Sequence, residues 1–174
     1  MIYISLGYNC DPRILLKTKY NMTYQNGYTS CPFDLCITSF DQLYNCISTD
    51  FTHFLDKLHI IPWENASGDR SRAGPGGTAI TNAYGMVFNH ESSSHSHLFR
   101  EGCNDDLFFT RNNFANFKSR YQRRITNFFN YINNNSHITF LYKKKSNDNF
   151  DSNKLITLLY QKYTNKQISF QVLT

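Results

Sequence analysis

Cys10 is the residue that type and position best fit for chemistry. It stands in the run Ser5-Leu6-Gly7-Tyr8-Asn9-Cys10-Asp11-Pro12-Arg13. There a short apolar stretch passes through a glycine into a segment of helical pattern. The reactive form of cysteine is the thiolate, and a helix N-terminus favours it through the partial positive charge of its N–H groups. Arg13, one turn on, reinforces that charge, whereas Asp11 opposes it. Backbone N–H groups at such a turn are also suited to a developing oxyanion. The competing fate of Cys10 is plain packing, since buried cysteines are common.

Other groupings carry weaker signals. His90, His95, His97 and Cys103 include a His-x-His pair of the kind that binds borderline metals. The intervening Glu91 to Ser94 reads as loop, so no metal site is assigned. Cys31-x4-Cys36 has no matching second pair to complete a zinc site. Gly74-Pro75-Gly76-Gly77 lacks the Gly-Lys-Ser/Thr ending of a phosphate loop and reads as a lid or linker. Arg70 and Arg72 in the same stretch are placed to touch an anionic substrate. Lys143-Lys144-Lys145 and the arginines of a later helix form a basic patch, and the many aromatics make single-stranded nucleic acid a conceivable partner. That partner is not favoured, because most aromatics fall on apolar stripes that belong to the core.

The elements that must position these residues follow from periodicity. Residues 2–6 read as a buried strand, Gly7 as a sharp exit, and Asn9 or Asp11 as the cap of a helix that tolerates Pro12 and runs towards Tyr20. Leu43, Ile47, Phe51, Phe54 and Leu58 predict an amphipathic helix from Phe40 to Leu58, with Cys46 on its apolar face. Residues 64–79 read as a long Gly-rich loop, residues 84–89 as a strand with His90 at its end, and Glu91 to His97 as a polar loop. Phe114, Phe117, Tyr121, Ile125, Phe128 and Ile132 mark a helix over 112–133, with Arg120, Arg123 and Arg124 projecting away from the stripe. A strand over 138–142, a helix over 151–163 and a strand over 168–173 complete the chain. That last strand-helix-strand favours parallel pairing. The predicted fold is a single α/β domain spanning 1–174, with a mostly parallel sheet flanked by helices and the nucleophile on the turn after the first strand.

Composition bounds the function classes. The 174 residues suffice for one domain with a real core, and an aromatic content of 16% excludes whole-chain disorder. No apolar run reaches the length of a membrane span, and no leader peptide is recognisable. The net charge of +5 permits a phosphate-rich partner without requiring one. Five cysteines without an export signal read as reduced thiols, hence a cytoplasmic location. Abundant Asn, Tyr, Phe, Ile and Lys have AT-rich codons and point to a virus, a protist or a low-GC bacterium. For a viral protein the location becomes the host cytoplasm.

Three blocks together resemble one family. Ser5-Leu6-Gly7-Tyr8-Asn9-Cys10, Pro32-Phe33-Asp34 and Tyr84-Gly85-Met86-Val87-Phe88-Asn89-His90 are similar to the successive blocks of the DUF1796 family, described as papain-like cysteine peptidases. Arg111 to Phe128 and Ile138 to Leu141 resemble its basic helix and following strand, so the likeness spans roughly residues 2–142. It implies Cys10 as nucleophile, His90 as its base, and Asp34 as the group that orients the imidazole or supports the site. Gly7, Asn9 and Arg13, which frame the same turn, are the candidate substrate-binding residues. Leu35 departs from the family pattern, which usually has Trp there, and this alters the pocket lining more than the dyad. The papain signature of a Gly and a second Cys just before an aromatic is absent around Cys10.

Two readings from different classes result. The first is an intracellular cysteine hydrolase that needs no cofactor and acts on a peptide or small acyl substrate, with esterase, amidase and acyl-transfer chemistry open to the same dyad. The second is a non-catalytic protein that uses its basic helix and Gly-rich loop to hold an anionic partner, such as nucleic acid, a nucleotide or a phosphorylated glycan.

Overall fold

The computed structural model describes residues 1–62, 78–91 and 107–173. The chain opens with β1 (Ile2–Ser5), which pairs in parallel with β5 (His137–Lys143), matching Ile2 to Ile138 and Ser5 to Leu141. On the other side of β5 lies β6 (Gln167–Leu173), also parallel, so the sheet order is β1-β5-β6. The central strand is buried along Phe140, Leu141 and Tyr142. A strand covered on both faces reads as a continuous apolar run rather than an alternation, and Phe140-Leu141-Tyr142 is such a run after the half-buried Thr139. Between β5 and β6 runs α4 (Ser152–Lys162), capped by Asp151, whose carboxylate accepts from the Lys154 N–H at 3.0 Å. Leu155, Leu158 and Leu159 face its inner side. This α/β organisation is the predicted one.

A second, antiparallel sheet accompanies it. It contains β2 (His59–Pro62), β3 (Thr78–Thr81) and β4 (Val87–Phe88) in that order. Thr78 and Ala79, assigned by sequence to the Gly-rich loop, instead begin β3, where Thr78 pairs with Pro62 and Ala79 with Ile61. Gly74–Gly77, Arg70 and Arg72 lie outside the described residues. The strand expected over 84–89 shortens to Val87–Phe88, because Tyr84-Gly85 forms a turn. There Gly85 has φ +77° and Asn82 Oδ1 accepts from the N–H groups of Tyr84 and Met86, both at 3.1 Å.

Three further helices pack around these sheets. The first, α1 (Asp11–Thr18), follows β1 directly. The second, α2 (Phe40–Ser48), starts at a capping box in which Ser39 and Gln42 exchange side-chain and backbone bonds. It stops ten residues before the predicted end at Leu58. Asp50 takes φ +50°, the Phe51 N–H donates to the Cys46 carbonyl and the Asp50 N–H to that of Ile47. That is a Schellman ending with Asp in the place usual for glycine. The apolar spacing continues past it because Phe51 and Phe54 still turn inward. The third, α3 (Arg111–Asn134), opens with left-handed φ at Asn112, Asn113 and Phe114 before its regular part.

The core is dominated by aromatic rings from four elements. Phe88 of β4 meets Phe117 and Tyr121 of α3 at centroid separations of 4.9 and 4.7 Å, both in edge-on geometry. Phe51 meets Phe128 edge-on at 5.1 Å. Large rings in such pairs supply most of the apolar burial and gain about 0.5–1.5 kcal/mol each beyond it. No helix among the described residues is long and apolar enough to cross a membrane.

Candidate active site

Gly7 lets the chain leave β1 towards α1 at close range. A Cβ at this position would run into Cγ and Cδ of Pro12. The Leu6 N–H still donates to the Leu141 carbonyl at 2.7 Å and the Tyr8 N–H to that of Lys143 at 3.3 Å, so the turn hangs from the C-terminal end of β5. Cys10 then occupies the N-cap of α1, half-buried, and its carbonyl accepts from the Ile14 N–H at 2.9 Å. Asn9 secures the turn from both ends. Its Oδ1 accepts from the Asp11 N–H at 3.0 Å, and its Nδ2 donates to the Asp11 carboxylate at 3.1 Å. The Asp11 amide is therefore engaged, and Pro12 has none to offer, which reduces the free N–H groups expected for an oxyanion.

His90 arrives from the other sheet. A 310 turn, Asn89–Glu91, follows β4 directly and buries both His90 and Glu91. The two halves of the site are joined by one short segment. Ile37 forms an antiparallel bridge to Val87 with bonds of 2.8 and 2.9 Å, while the next residue, Thr38, donates its N–H to the Tyr8 carbonyl at 3.0 Å. Residues 37 and 38 thus clasp the cysteine turn on one side and the histidine strand on the other. The outcome is Cys10 Sγ at 2.9 Å from His90 Nε2, across 80 positions of sequence. Either the thiol donates to Nε2 or, after proton transfer, the imidazolium Nε2–H donates to the thiolate.

Asp34 is fully buried and its carboxylate is turned to other partners. It accepts from the Tyr28 hydroxyl at 2.9 Å and from the Cys31 N–H at 2.9 Å, and Arg13 Nε lies 3.8 Å away. Burial pushes its acid up to about 6, against the pull of the Cys31 N–H, the Arg13 guanidinium and the Tyr28 hydroxyl. Asp34 therefore braces Arg13 on α1, the helix that carries Cys10, and its described bonds do not run to the imidazole. Arg13 is further fixed by donating to the Met22 carbonyl at 2.9 Å and by lying over the Tyr28 ring at 4.3 Å.

Glu91 escaped the sequence reading, which placed it in a polar loop. It is 2% exposed. Its Oε1 takes Arg124 Nη1 at 3.2 Å and Arg120 Nε at 3.3 Å, and its Oε2 accepts from the Tyr121 hydroxyl at 3.1 Å. Arg124, expected to project from α3, is buried instead. Its spacing already signalled this, for it lies three residues after Tyr121 and four before Phe128, on the stripe itself. The His90 turn is in this way fastened to α3 by a buried carboxylate.

The remaining described thiols differ from Cys10. Cys31, Cys36 and Cys46 are inaccessible, and burial raises all three well above the ordinary thiol range. Cys36 is fully buried, and burial is the main cause of its rise, with the Arg124 charge opposing it. His95, His97 and Cys103 lie outside the described residues. Among the described residues no three His, Cys, Asp or Glu side chains converge as a metal site.

A cleft of about 830 Å³ opens between Arg13, the segment Tyr24 to Ser30, and α3, and neither Cys10 nor His90 is among its lining residues. Asn127 donates to the Ser30 carbonyl at 2.9 Å and Tyr131 accepts from the Thr29 N–H at 2.7 Å, so this wall is docked on α3. Arg13, Arg120, Arg123 and Arg124 all line it, and among the described residues no acidic one does.

A family model described as "Putative papain-like cysteine peptidase (DUF1796)" matches residues 1–174. No curated protein and no solved structure matches the chain.

Proposed function

The chain belongs to the DUF1796 family, and from that premise we propose that it is a cysteine hydrolase in which Cys10 attacks an amide or ester carbonyl with His90 as its base. The observation that carries this is the 2.9 Å contact between Cys10 Sγ and His90 Nε2, made by the half-buried thiol of the described set. A base within hydrogen-bond reach of a sulfur at a helix N-terminus is the arrangement that nucleophilic catalysis needs.

In this reading His90 takes the thiol proton, and the thiolate adds to the carbonyl carbon. The tetrahedral adduct collapses as the carbon–nitrogen or carbon–oxygen bond breaks, and the imidazolium returns its proton to the departing amine or alcohol. A thioester is left on Cys10. Water, deprotonated by His90, attacks the thioester carbon, the carbon–sulfur bond breaks, and the acid leaves with Cys10 restored. Asn9 and Gly7 keep the cysteine turn in place, Arg13 contacts substrate, and Asp34 supports the site through Arg13.

Iodoacetamide labelling at pH 6–7 with mapping of the modified sites tests the proposal. Cys10 is expected to react at least tenfold faster in the wild type than in His90→Ala, while Cys31, Cys36 and Cys46 stay unlabelled because they are buried. Equal Cys10 rates in the wild type and His90→Ala overturn the dyad. The arginine-lined cleft supports a second reading, a protein that holds an anionic partner without turnover. An unreactive Cys10 would favour it.

A further inference from the structure

We propose that the arginine cleft seats the anionic group of the substrate, a carboxylate or phosphate carried by the same acyl compound that Cys10 attacks. The proposal rests on the hydrolase reading and gives it a substrate class. Four guanidinium groups, from Arg13, Arg120, Arg123 and Arg124, border the cleft. The carboxylates that answer them are Asp34 and Glu91, both buried behind the wall. Among the described residues two positive charges therefore remain in excess where a ligand would lie.

The geometry leaves donors for that ligand. Arg120 uses Nε on Glu91 and Arg124 uses Nη1 on the same oxygen, so each keeps further N–H groups of its fork. Arg13 spends Nη1 on the Met22 carbonyl and directs Nε towards Asp34, which leaves Nη2. Arg123 is exposed and makes no ion pair among the described residues. Planar forks of this kind match carboxylate and phosphate oxygens pairwise. Arg124 is 4% exposed, and a guanidinium withdrawn from water gains more from an oxyanion than a solvated one.

The cleft and the pair are parts of one construction. Arg13 follows Cys10 by three residues on α1, and Glu91, which holds Arg120 and Arg124, follows His90 by one. Cys10 and His90 do not line the cleft, so the compound proposed is one whose uncharged part is long enough to pass from the cleft to the sulfur. Binding energy from that remote anion then orients the carbonyl for attack.

The test uses peptide-like iodoacetamides with the electrophile at one end and, at the other, a carboxylate, a phosphate monoester or a neutral amide of equal length. Cys10 alkylation in the full chain is expected to be roughly tenfold faster with a charged reagent than with the neutral one, the low end for focusing by a charged cleft. The advantage should shrink at high salt and fall to about one in the double variant Arg120→Gln/Arg123→Gln. Preference for carboxylate over phosphate, or the reverse, would identify which oxyanion the cleft takes. Equal rates for charged and neutral reagents overturn the proposal, as does an advantage that the double variant retains. Calorimetry of inorganic pyrophosphate and of citrate with Cys10→Ser keeps the two readings apart. Binding of either anion that is lost in Arg123→Gln supports the cleft even if Cys10 proves inert, and binding of neither refutes it whatever Cys10 does.

Discussion

Replacing Glu91 with Gln removes one charge from the structure while preserving shape, and the consequence can be worked from the geometry. At 3.2 Å and an effective dielectric near 20, the Glu91–Arg124 attraction is about 5 kcal/mol before desolvation is counted. Arg124 stays buried in the variant, so its own loss of hydration is unchanged while the opposing charge is gone. Arg120 has a side chain 25% exposed, and water screens its share. The Gln oxygen can still accept one of the lost bonds, which places the net cost at about 3 kcal/mol, at the low end for breaking a buried pair. For a chain of this length that corresponds to a Tm lower by roughly 6–12 °C. Urea unfolding at pH 7 measures it, with Arg120→Gln as the partly exposed control at under about 1 kcal/mol. Below the transition, Cys10 alkylation should also slow, because Glu91 fastens the turn that carries His90. A Glu91→Gln loss smaller than about 1 kcal/mol, or equal to that of Arg120→Gln, would refute the view that this carboxylate anchors the histidine turn.

Asp34 gives a pH prediction. Its acid lies at about 6 in the folded chain against 3.8 as the ordinary value, so folding takes up a proton between them. The stability it contributes is full below about pH 4 and is lost as pH rises through about 6, a change near 3 kcal/mol. The stability difference between wild type and Asp34→Asn, from urea midpoints at pH 4 and 7, should therefore shift by that order in favour of Asn at the higher pH, and a flat difference would contradict it. Gly7→Ala should cost about 1–3 kcal/mol and slow Cys10 alkylation, since the new methyl group must displace the rigid Pro12 ring and α1 with it; a neutral result in both assays would count against the close-approach argument. Tyr163 buries its hydroxyl without a hydrogen-bond partner among the described residues, so Tyr163→Phe should leave the urea midpoint unchanged or raise it, and a loss above about 1 kcal/mol would show a bond that the geometry lacks.

Much of the fold was legible because its signals are local. The sequence of residues 138–142 announces a strand, and the stripe from Phe117 to Ile132 announces α3. The errors arise where apolar spacing and backbone geometry part company. Phe51 and Phe54 continue the period of α2, yet Asp50 has already ended the helix, and only a positive φ reveals it. The short β4 was overextended because a Gly85 turn lies inside an apolar stretch. Cys10 was legible from its place at a helix start, but its pairing with His90 was reached through block resemblance, since nothing local links residues 80 positions apart. The role of Asp34 at Tyr28 and Arg13, and that of Glu91 at Arg120 and Arg124, depends on which buried charges meet. A linear reading of polar residues does not encode that.

The clasp at Ile37 and Thr38 bears on when the site comes into being. The contacts that assemble it run from residue 8 to 38, from 37 to 87, from 10 to 90 and from 91 to 124. Closure of such long loops comes late, because the chain entropy must be surrendered before the contacts return anything. A chain made only as far as residue 100 carries Cys10 and His90 without the helix that holds the histidine turn. The Cys10–His90 contact is thus expected to form only once α3 has been made and docked.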